Sequence, residues 1–286
     1  MIFSDIDAFR ASGFQARVCI IGTGPAGMAV ALQLAQARIP VVMLEAGSDE
    51  ITSESQEFYR GEVDGDPYFD LDTTRIRLLG GCSNHWAGWC RVMDTHDFDV
   101  RSWIPDSGWP IRRTDLDPYF GLVHNMLELE DFRPNVPGSD DIDWGQLIKS
   151  PGVHLGEKYR TDLEKSERIA VVMNTMATDL AGDGTRVTAV NLWSRGVAAG
   201  SLVTDHIVVC TGGLENSRLL LWSNEKTNGA VVPKAAALGK YWMEHPQFEP
   251  AVALLFDESA FEWDVQGEAF FSPTAKAMER LGIMNF

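Results

Sequence analysis

The feature that most constrains the fold is a strand–turn–helix–strand pattern near the N-terminus. Residues 17–21 (RVCII) form a short apolar run that stops at a glycine, which is typical of a strand buried on both faces. Residues 28–37 are rich in alanine and leucine, which favour a helix, and residues 39–44 form a second apolar run rich in β-branched residues. The pattern predicts one βαβ unit of about 30 residues, and with it an α/β fold built on a parallel sheet.

The turn between the first strand and the helix carries glycines at the spacing G-x-G-x-x-G. Gly22 permits a tight turn, Gly24 lets the backbone approach a pyrophosphate, and Gly27 allows the helix to pack closely on the sheet. Pro25 and Ala26 complete the turn and open the helix. The turn is therefore predicted to bind a dinucleotide at the helix N-terminus.

Glu45 stands at the end of the second strand, 23 residues after Gly22. A carboxylate at this place can accept hydrogen bonds from both ribose hydroxyls, and an acid instead of an arginine argues against a 2′-phosphate. The combination of strand, turn, helix and acid favours a nucleotide site over the alternative, a glycine-rich turn without a ligand. These residues alone do not distinguish FAD from NAD.

The segments that follow are less regular. Residues 48–74 are acidic and lack periodicity, so we expect an excursion over the surface. Residues 114–129 place apolar residues at helical spacing, which predicts a helix with Thr114 as its N-cap. Residues 131–165 are rich in Pro, Gly and Asp and are predicted to be a linker or an insertion.

A β-meander is predicted in the second half of the chain, with a glycine-rich turn at residues 182–184 between its first two pieces. The β-rich pieces lie near residues 169–173, 186–193 and 202–209. The last piece ends at Thr211 and Gly212 and leads into a leucine-rich stretch up to Trp222. This order of strand, tight turn and helix predicts a second place where backbone approaches the ligand.

Charge and composition exclude several classes of partner. A formal net charge of −17, without a basic cluster to offset it, would repel a nucleic-acid backbone. No apolar run approaches the roughly 20 residues of a spanning helix, and no signal peptide is visible, so the cytoplasm is the default compartment. The four cysteines lack CxxC spacing, which predicts reduced thiols and no metal site.

Four further segments resemble the glucose–methanol–choline (GMC) family of flavin oxidoreductases, in the same order along the chain. Residues 75–89 (RIRLLGGCSNHWAGW) look like the family's Gly-Gly-Ser loop, which lies against the flavin. Residues 108–120 are similar to the helix that follows that loop, and residues 208–221 resemble a second flavin-contacting turn. Residues 238–246 resemble the family's segment entering the substrate domain.

This resemblance implies FAD instead of NAD as the cofactor. The fold that it implies is a Rossmann-type FAD-binding domain with a β-meander, followed by the start of an α+β substrate domain. We expect the FAD-binding domain to span residues 1–225, including the surface excursion and the insertion described above. Residues 226–286 would then begin an incomplete substrate-binding domain.

The resemblance also places cofactor contacts on the two later glycine turns. Gly80 and Gly81 would let a flat ring system approach the backbone, and Ser83 and Asn84 could contact the polar edge of that ring. The predicted cofactor-binding residues of the first loop are Arg77, Gly80, Gly81, Ser83, Asn84, His85, Trp86 and Gly88. Those of the second turn are Thr211, Gly212 and Asn216.

The His-Trp pair at residues 85 and 86 is similar to the branch that contains pyranose oxidase, fructose dehydrogenase and glucoside 3-dehydrogenase. Cys82 departs from the commoner Ser or Thr of that loop. Two roles for His85 follow from the resemblance and both stay open. The imidazole either carries FAD covalently or donates a hydrogen bond near a noncovalently bound isoalloxazine.

The implied reaction is oxidation of a secondary alcohol of a sugar or glycoside, with hydride transfer to flavin N5 and an undetermined electron acceptor. The family's catalytic base is a histidine in the C-terminal part of a longer chain, and none of the six histidines here lies in a matching segment. His245 is expected to be structural or to line the pocket. We therefore nominate no base and expect the N-terminal portion of a longer or split enzyme.

The alternative hypothesis is a noncatalytic FAD-binding half. Such a chain would need a second polypeptide to supply the catalytic histidine. A partner chain could also transfer electrons, or carry this chain to the periplasm by means of its own signal.

Overall fold

The computed structural model describes residues 1–131, 135–244, 254 and 268–285. The chain divides into two compact units, one formed by Met1–His85 with His154–Pro246 and the other by Trp86–Val153 with Gln247–Phe286. His245 and its predicted structural or pocket-lining role lie outside the described residues. None of the helices in the described ranges has the length and apolar composition that crossing a membrane requires.

The described residues form strands, α-helices and short 3-10 helices. The strands are, in chain order, β1 (Ile2–Phe3), β2 (Val18–Ile21), β3 (Val41–Leu44), β4 (Trp89–Cys90), β5 (Val136–Pro137), β6 (Ile142–Lys149), β7 (Ile169–Val172), β8 (Thr175–Gly182), β9 (Val187–Ser194), β10 (Val197–Leu202), β11 (His206–Val209) and β12 (Glu268–Pro273). The α-helices are α1 (Ile6–Ala11), α2 (Pro25–Gln36), α3 (Ser53–Gln56), α4 (Phe120–Leu127), α5 (Leu155–Lys158), α6 (Arg160–Lys165), α7 (Gly213–Thr227) and α8 (Ala275–Leu281). Short 3-10 helices occupy Glu57–Tyr59, Gly81–Asn84, Thr95–Phe98, Arg113–Asp115 and Asp117–Tyr119.

The first unit is built on a parallel sheet of five strands in the order β1-β7-β3-β2-β11. β2 lies between β3 and β11, so that Ile20 stands opposite Met43 on one side and Val208 on the other. Every residue of β2, β3 and β7 is buried, as expected for parallel strands that are covered on both faces. The predicted βαβ unit is confirmed as β2, α2 and β3, whereas β1 and α1 were not predicted.

The hydrophobic core of this unit follows from the alternation of side chains along the strands. Ile20 faces α2, because a Cβ added at Gly27 of that helix would lie 3.3 Å from its Cγ2 atom. The opposite face contributes to a buried cluster with α1, α7 and the antiparallel strands β8 and β9. The buried members of this cluster are Ile6, Phe9, Cys19, Ile21, Val42, Leu44, Ala170, Val172, Leu180, Val190, Leu192 and Leu219.

A β-meander is present, and its middle strand, β9, is the piece predicted near residues 186–193, but its two outer strands differ from those that the sequence indicated. The antiparallel strands are β8, β9 and β10, and the glycine turn at residues 182–184 joins β8 to β9. The pieces predicted near 169–173 and at the end of 202–209 are instead β7 and β11 of the parallel sheet. β8 has small and polar residues, and its pairing with β9 holds it extended: Leu180 stands opposite Val190, and the Asp179 carboxylate accepts a 2.6 Å hydrogen bond from Asn191.

The second unit contains an antiparallel sheet in the order β12-β6-β4, with β5 also paired to β6. β6, at Ile142–Lys149, lies within the segment predicted to be a linker or an insertion. The helix predicted over residues 114–129 is wrong at its start, since α4 begins only at Phe120. Pro118 lacks an N–H and restricts the residue before it, so two 3-10 turns precede α4 and Thr114 lies inside the first of them.

Candidate cofactor site at the carboxyl edge of the parallel sheet

A cavity of about 860 Å³ opens at the carboxyl ends of β2, β3 and β11, inside the first unit. Its walls include the turns that follow these strands, Gly81 and Cys82 of the next loop, and residues 175–178 of β8. The volume is within the range of about 300–1,000 Å³ that small-molecule and cofactor sites occupy. Open parallel sheets bind ligands at this edge, where the strand order reverses, and β2 is at such a reversal here.

The first glycine turn has three different packing environments. Gly22 adopts φ +100°, and a Cβ there would lie 2.6 Å from the carbonyl oxygen of Cys210. A Cβ at Gly27 would lie 2.1 Å from the carbonyl oxygen of Gly22, so this glycine allows α2 to approach the strand. A Cβ at Gly24 would meet its nearest neighbour, the Gly81 Cα, only at 4.0 Å. Gly22 and Gly27 are thus required by the chain's own packing, whereas Gly24 borders open space in the cavity wall.

Two helix N-termini border the same cavity. α2 begins after Gly24 and α7 after Gly212, and at neither end does a described side chain cap the backbone. The N–H groups of a first helical turn have no partner within the helix and carry a partial positive charge. These two ends can therefore donate hydrogen bonds to an anionic group in the cavity.

Glu45 lines the cavity, and its side chain is held from both sides. Oε2 accepts hydrogen bonds from the Thr23 hydroxyl and, at 3.3 Å, from the Thr23 N–H, while Oε1 accepts one from the Gly47 N–H at 2.8 Å. Burial raises the pKa of Glu45 above its usual value, and the hydrogen bonds from Thr23 and Gly47 act in the opposite direction. A carboxylate offers about four acceptor sites, so it can also accept from a ligand hydroxyl.

The loop that begins at Gly80 is packed tightly for reasons internal to the chain. Gly80 and Gly81 adopt φ +92° and +53°, and Cβ atoms there would lie 2.5 Å from the Gly156 nitrogen and 2.9 Å from the Gly24 Cα. Ser83 donates to the Gly80 carbonyl at 2.7 Å and Asn84 to the Gly81 carbonyl at 2.9 Å. Among the residues predicted from this loop, Gly81 and Arg77 line the cavity, whereas Gly80, Ser83 and Asn84 shape the loop behind its wall.

His85, Trp86 and Gly88 were predicted to contact the cofactor as well. His85 is exposed at the end of the loop and is not part of the cavity wall within the described residues. Trp86 and Gly88 belong to the second unit, where Trp86 donates to the Val153 carbonyl at 3.2 Å. A Cβ at Gly88 would lie 2.7 Å from the Ser150 carbonyl oxygen, so this glycine is required by packing there.

The second glycine turn joins β11 to α7. Asn216 accepts hydrogen bonds from the Thr211 N–H at 2.8 Å and from its hydroxyl at 2.7 Å, and so holds the turn from behind. Gly212 adopts φ +86° and ψ 165°, a region that is essentially restricted to glycine. Nothing lies within 4 Å of a Cβ added there. Thr211 and Gly212 line the cavity, and Gly212 leaves space beside its backbone.

Arg77 is a buried cationic side chain in the cavity wall. Its guanidinium donates to the Ala46 carbonyl at 3.2 Å and to the Ser55 hydroxyl at 3.1 Å, and it lies 4.7 Å from the centre of the Phe58 ring. Burial lowers the pKa of Arg77, while nearby Tyr59 and Glu45 act to raise it. The side chain thus ties the segment after β3 to the 3-10 turn that contains Phe58.

Sequence reasoning missed a second group, at the first turn of α7. Arg75 forms a 2.5 Å ion pair with Glu215, and Arg218 approaches the same carboxylate at 3.0 Å. The Arg75 guanidinium also lies 4.4 Å from the ring centre of Tyr59, whose pKa is raised to about 12 by burial. Residues 140 positions apart give no local signal for such a pair. An aromatic residue such as Tyr59, inside an acidic segment predicted to be a surface excursion, was the one available hint.

The charges and rings of the wall suit a nucleotide better than the average surface does. The charged residues that line it are Glu45, Glu215, Glu244, Arg75, Arg77 and Arg218. Both signs occur equally among these described residues, although the whole chain carries −17. The aromatic lining residues are Phe58, Tyr59, Tyr68, Trp222 and Trp242. The wall therefore combines flat apolar surfaces with nearly balanced charge, which repels a diphosphate less than an acidic surface would.

A separate polar cluster lies in the second unit. Asp94, His96 and Asp97 present potential ligand atoms within 4.8 Å of one another. Arg91 donates to the Asp94 carboxylate at 2.5 Å, and Asn285 donates to Asp94 at 3.0 Å and to Asp97 at 3.1 Å. Because cationic and amide donors already occupy these oxygens, we interpret the cluster as a hydrogen-bonded contact that connects residues 91–97 to Asn285 within that unit.

No protein-family model matches this chain, and no curated protein matches it. Among solved structures, an FAD-dependent oxidoreductase from Chaetomium thermophilum matches with a TM-score of 0.52 at 14% identity, over 73% of this chain and 48% of that one. Pyridoxine 4-oxidase from Mesorbium loti matches with a TM-score of 0.48 at 17% identity, over 79% and 55%. A fungal aryl-alcohol oxidase matches with a TM-score of 0.48 at 13% identity, over 71% and 47%.

These comparisons concern the fold. The match to the Chaetomium thermophilum protein and the parallel sheet together show a mixed α/β fold of the Rossmann type. The chain spans about half the length of each of the solved structures that it matches.

Proposed function

We propose that this chain binds FAD in the cavity at the carboxyl edge of the sheet and serves the FAD-dependent oxidation of an alcohol, as a GMC-type oxidoreductase. One observation supports the proposal most directly. The N-termini of α2 and α7 both border the cavity beside Glu45, and each helix has a glycine as its N-cap residue and no side-chain cap. A sugar or glycoside is the proposed substrate class, on the sequence resemblance of residues 75–89.

The residues present fit a dinucleotide. Gly24 and Gly212 both border open space at the cavity, so backbone N–H groups can be approached there without a Cβ in the way. We assign the diphosphate to the N-termini of α2 and α7 and the ribose hydroxyls to Glu45. The pair of arginines around Glu215 supplies positive charge to the same wall, since one carboxylate there faces both Arg75 and Arg218.

When bound, FAD would supply the acceptor for the two electrons of the alcohol carbon. The chain's own contribution is to bind and orient this cofactor. Among the described residues no histidine lines the cavity, so we assign no general base. Whether the chain also completes the alcohol site is decided by activity measurements on the purified protein.

Cofactor binding is tested by titrating the purified chain with FAD and following the quenching of flavin fluorescence. We expect saturable binding that NAD does not displace. Gly24→Val should weaken FAD binding by at least about tenfold, because it removes access to backbone donors worth about 1.5–3 kcal/mol. Gly121→Ala is the control, since nothing lies within 4 Å of a Cβ at Gly121 and it belongs to the second unit. A folded chain that does not bind FAD would show the proposal to be wrong.

The reaction is tested with a panel of sugars, glycosides and simple alcohols and an artificial electron acceptor. Turnover above a flavin-only blank, with sugars preferred, is the expected result for a chain that is active by itself. FAD binding without turnover would support the alternative, in which a second polypeptide supplies the catalytic histidine. Preference for a non-sugar alcohol would retain the oxidoreductase and refute the substrate class.

The most detailed part of the proposal is covalent attachment of FAD to the His85 imidazole. The exposed imidazole is accessible to a reactive partner, although its side chain does not line the described cavity. After acid precipitation, flavin colour that stays on the pellet in the wild type and is lost in His85→Ala would support attachment. Complete release of flavin to the supernatant from the wild type would exclude it.

A further inference from the structure

We propose that Thr23 is a positioning residue that connects the ribose-binding carboxylate of Glu45 to the loop beginning at Gly80. Its hydroxyl would hold Glu45 in the orientation and ionised form that ribose binding requires. The same hydroxyl would fix the position of the loop relative to the first glycine turn. This inference rests on the proposed FAD site.

Three segments that are distant in sequence meet at the Thr23 hydroxyl. Thr23 is fully buried inside the turn between β2 and α2. Its hydroxyl donates to Oε2 of Glu45, which follows β3, and accepts a 3.1 Å hydrogen bond from the Gly80 N–H, 57 residues away along the chain. One side-chain atom therefore joins the first glycine turn, the acid and the second glycine loop.

The donor and acceptor types give this connection a direction. The Gly80 N–H can only donate, so the Thr23 oxygen accepts there and keeps its single proton for Glu45. At the other oxygen of Glu45, the Gly47 N–H also donates. Both carboxylate oxygens thus accept hydrogen bonds from the chain, an arrangement that favours the ionised form of a buried acid.

The charged surroundings make the Thr23 contact more important. Burial raises the pKa of Glu45, and the Thr23 hydroxyl is the strongest of the contacts that oppose this rise. The ionisable groups that face Glu45 are Arg77, which favours its charge, and Tyr59, whose own pKa burial raises to about 12. Since Tyr59 is neutral near neutral pH, loss of the Thr23 hydroxyl would leave Arg77 as the nearby charged group that favours an ionised Glu45.

Two comparisons isolate the hydroxyl, that of Thr23→Val with the wild type and that of Thr23→Ala with Thr23→Ser. Thr23→Val replaces it with a methyl group of similar size, whereas Thr23→Ser and Thr23→Ala both lose the methyl and differ only in the hydroxyl. Thr227→Val is the matched control, because that hydroxyl donates to the Ser223 carbonyl at the end of α7 and does not line the cavity. FAD affinity is measured for each variant from about pH 5 to 9, because burial raises the pKa of Glu45 above its usual value.

We expect Thr23→Val and Thr23→Ala to weaken FAD binding by about 10- to 100-fold, the effect of losing a hydrogen bond to a charged group. In both variants the affinity should begin to fall at a higher pH than in the wild type as the pH is lowered. Thr23→Ser and Thr227→Val should remain within about threefold of the wild type, in keeping with a retained hydroxyl or a remote site.

Hydrogen exchange of the Gly80 amide in the cofactor-free chain provides a second readout. It should accelerate in Thr23→Ala and Thr23→Val and stay slow in Thr23→Ser. Should Thr23→Val fail to fold, the Ser and Ala pair alone decides. Equal FAD affinity, pH profile and Gly80 exchange in that pair would overturn the inference. A wild-type chain that does not bind FAD would refute the proposed function, while the exchange measurement would still test the connection through Thr23.

Discussion

Replacing Gly27 with alanine places a Cβ 2.1 Å from the carbonyl oxygen of Gly22 and 3.3 Å from Ile20 Cγ2. The first distance is more than 1 Å short of a normal contact of about 3.5 Å, and the obstructing atom is backbone, which has no rotamer by which to move away. Overpacking of this kind costs about 3 kcal/mol or more, against about 1 kcal/mol that alanine gains over glycine in a helix. The net loss of about 2 kcal/mol should lower the melting temperature by about 4–8 °C.

Gly24→Ala is the matched comparison, three residues earlier in the same turn. Its φ of −62° is open to alanine, and the nearest atom to the added Cβ would be 4.0 Å away. Alanine is a weaker N-cap than glycine, so we expect a stability loss below about 1 kcal/mol. The same methyl projects at the proposed diphosphate position, so FAD affinity should fall by about tenfold, as when one hydrogen bond to a charged group is lost.

Differential scanning fluorimetry with and without FAD measures both effects. In the cofactor-free chain, Gly27→Ala should melt well below the wild type and Gly24→Ala close to it. With FAD added, the wild type should gain stability and Gly24→Ala should gain less at the same cofactor concentration. Equal melting temperatures for Gly27→Ala and the wild type would refute the packing argument. Equal stabilisation of Gly24→Ala and the wild type by FAD would refute the assignment of the turn to the cofactor.

Three further predictions concern the rest of the wall. Gly212→Ala should cost about 1–3 kcal/mol in urea unfolding, because φ +86° with ψ 165° is strained for any residue with a Cβ; an unchanged midpoint would contradict this. Arg75→Met should lower stability by about 2 kcal/mol, since Glu215 is 11% exposed and, among the described residues, would keep Arg218 alone as an ion-pair partner. Arg75→Met/Glu215→Met should recover part of this loss in thermal unfolding. A double variant less stable than Arg75→Met would show that the charge left behind is not the cause. Burial raises the pKa of Glu45, so the folded chain binds more protons than the unfolded chain just above pH 4.5. The free energy of unfolding should therefore decrease as the pH rises above 4.5. Glu45→Gln should flatten this slope in urea midpoints, and an unchanged slope would show that Glu45 does not cause it.

Sequence patterns predicted the parts of the fold that depend on interactions between residues close together in the chain. The apolar run before Gly22, the alanine-rich helix and the acid at Glu45 lie within one βαβ unit, where hydrophobic periodicity and glycine spacing directly reflect burial and turn geometry. β8 was not predicted from the sequence, because Thr178 and Asp179 interrupt any β-rich run and its extended form depends on pairing with β9. Assigning β7 and β11 to the parallel sheet likewise required knowing which strands become neighbours.

The glycines at 80 and 81 illustrate the same limit at the candidate site. The family resemblance implied that a ligand ring approaches them closely, but the tertiary structure adds a reason that the sequence did not show, contact with Gly156 and Gly24 of the chain itself. Likewise, the meeting of Thr23 with Gly80 and of Arg75 with Glu215 is invisible in a sequence.

By itself, the sequence determined the βαβ unit, its glycine turn and the acid that follows, because each depends on residues a few positions apart. The tertiary structure alone decided that the second glycine turn and the Gly80 loop meet the first at one cavity, and which polar groups face Glu45. Such meetings are set by the packing of strands and helices over the whole unit, where hydrogen-bond partners are chosen by distance in space and not along the chain.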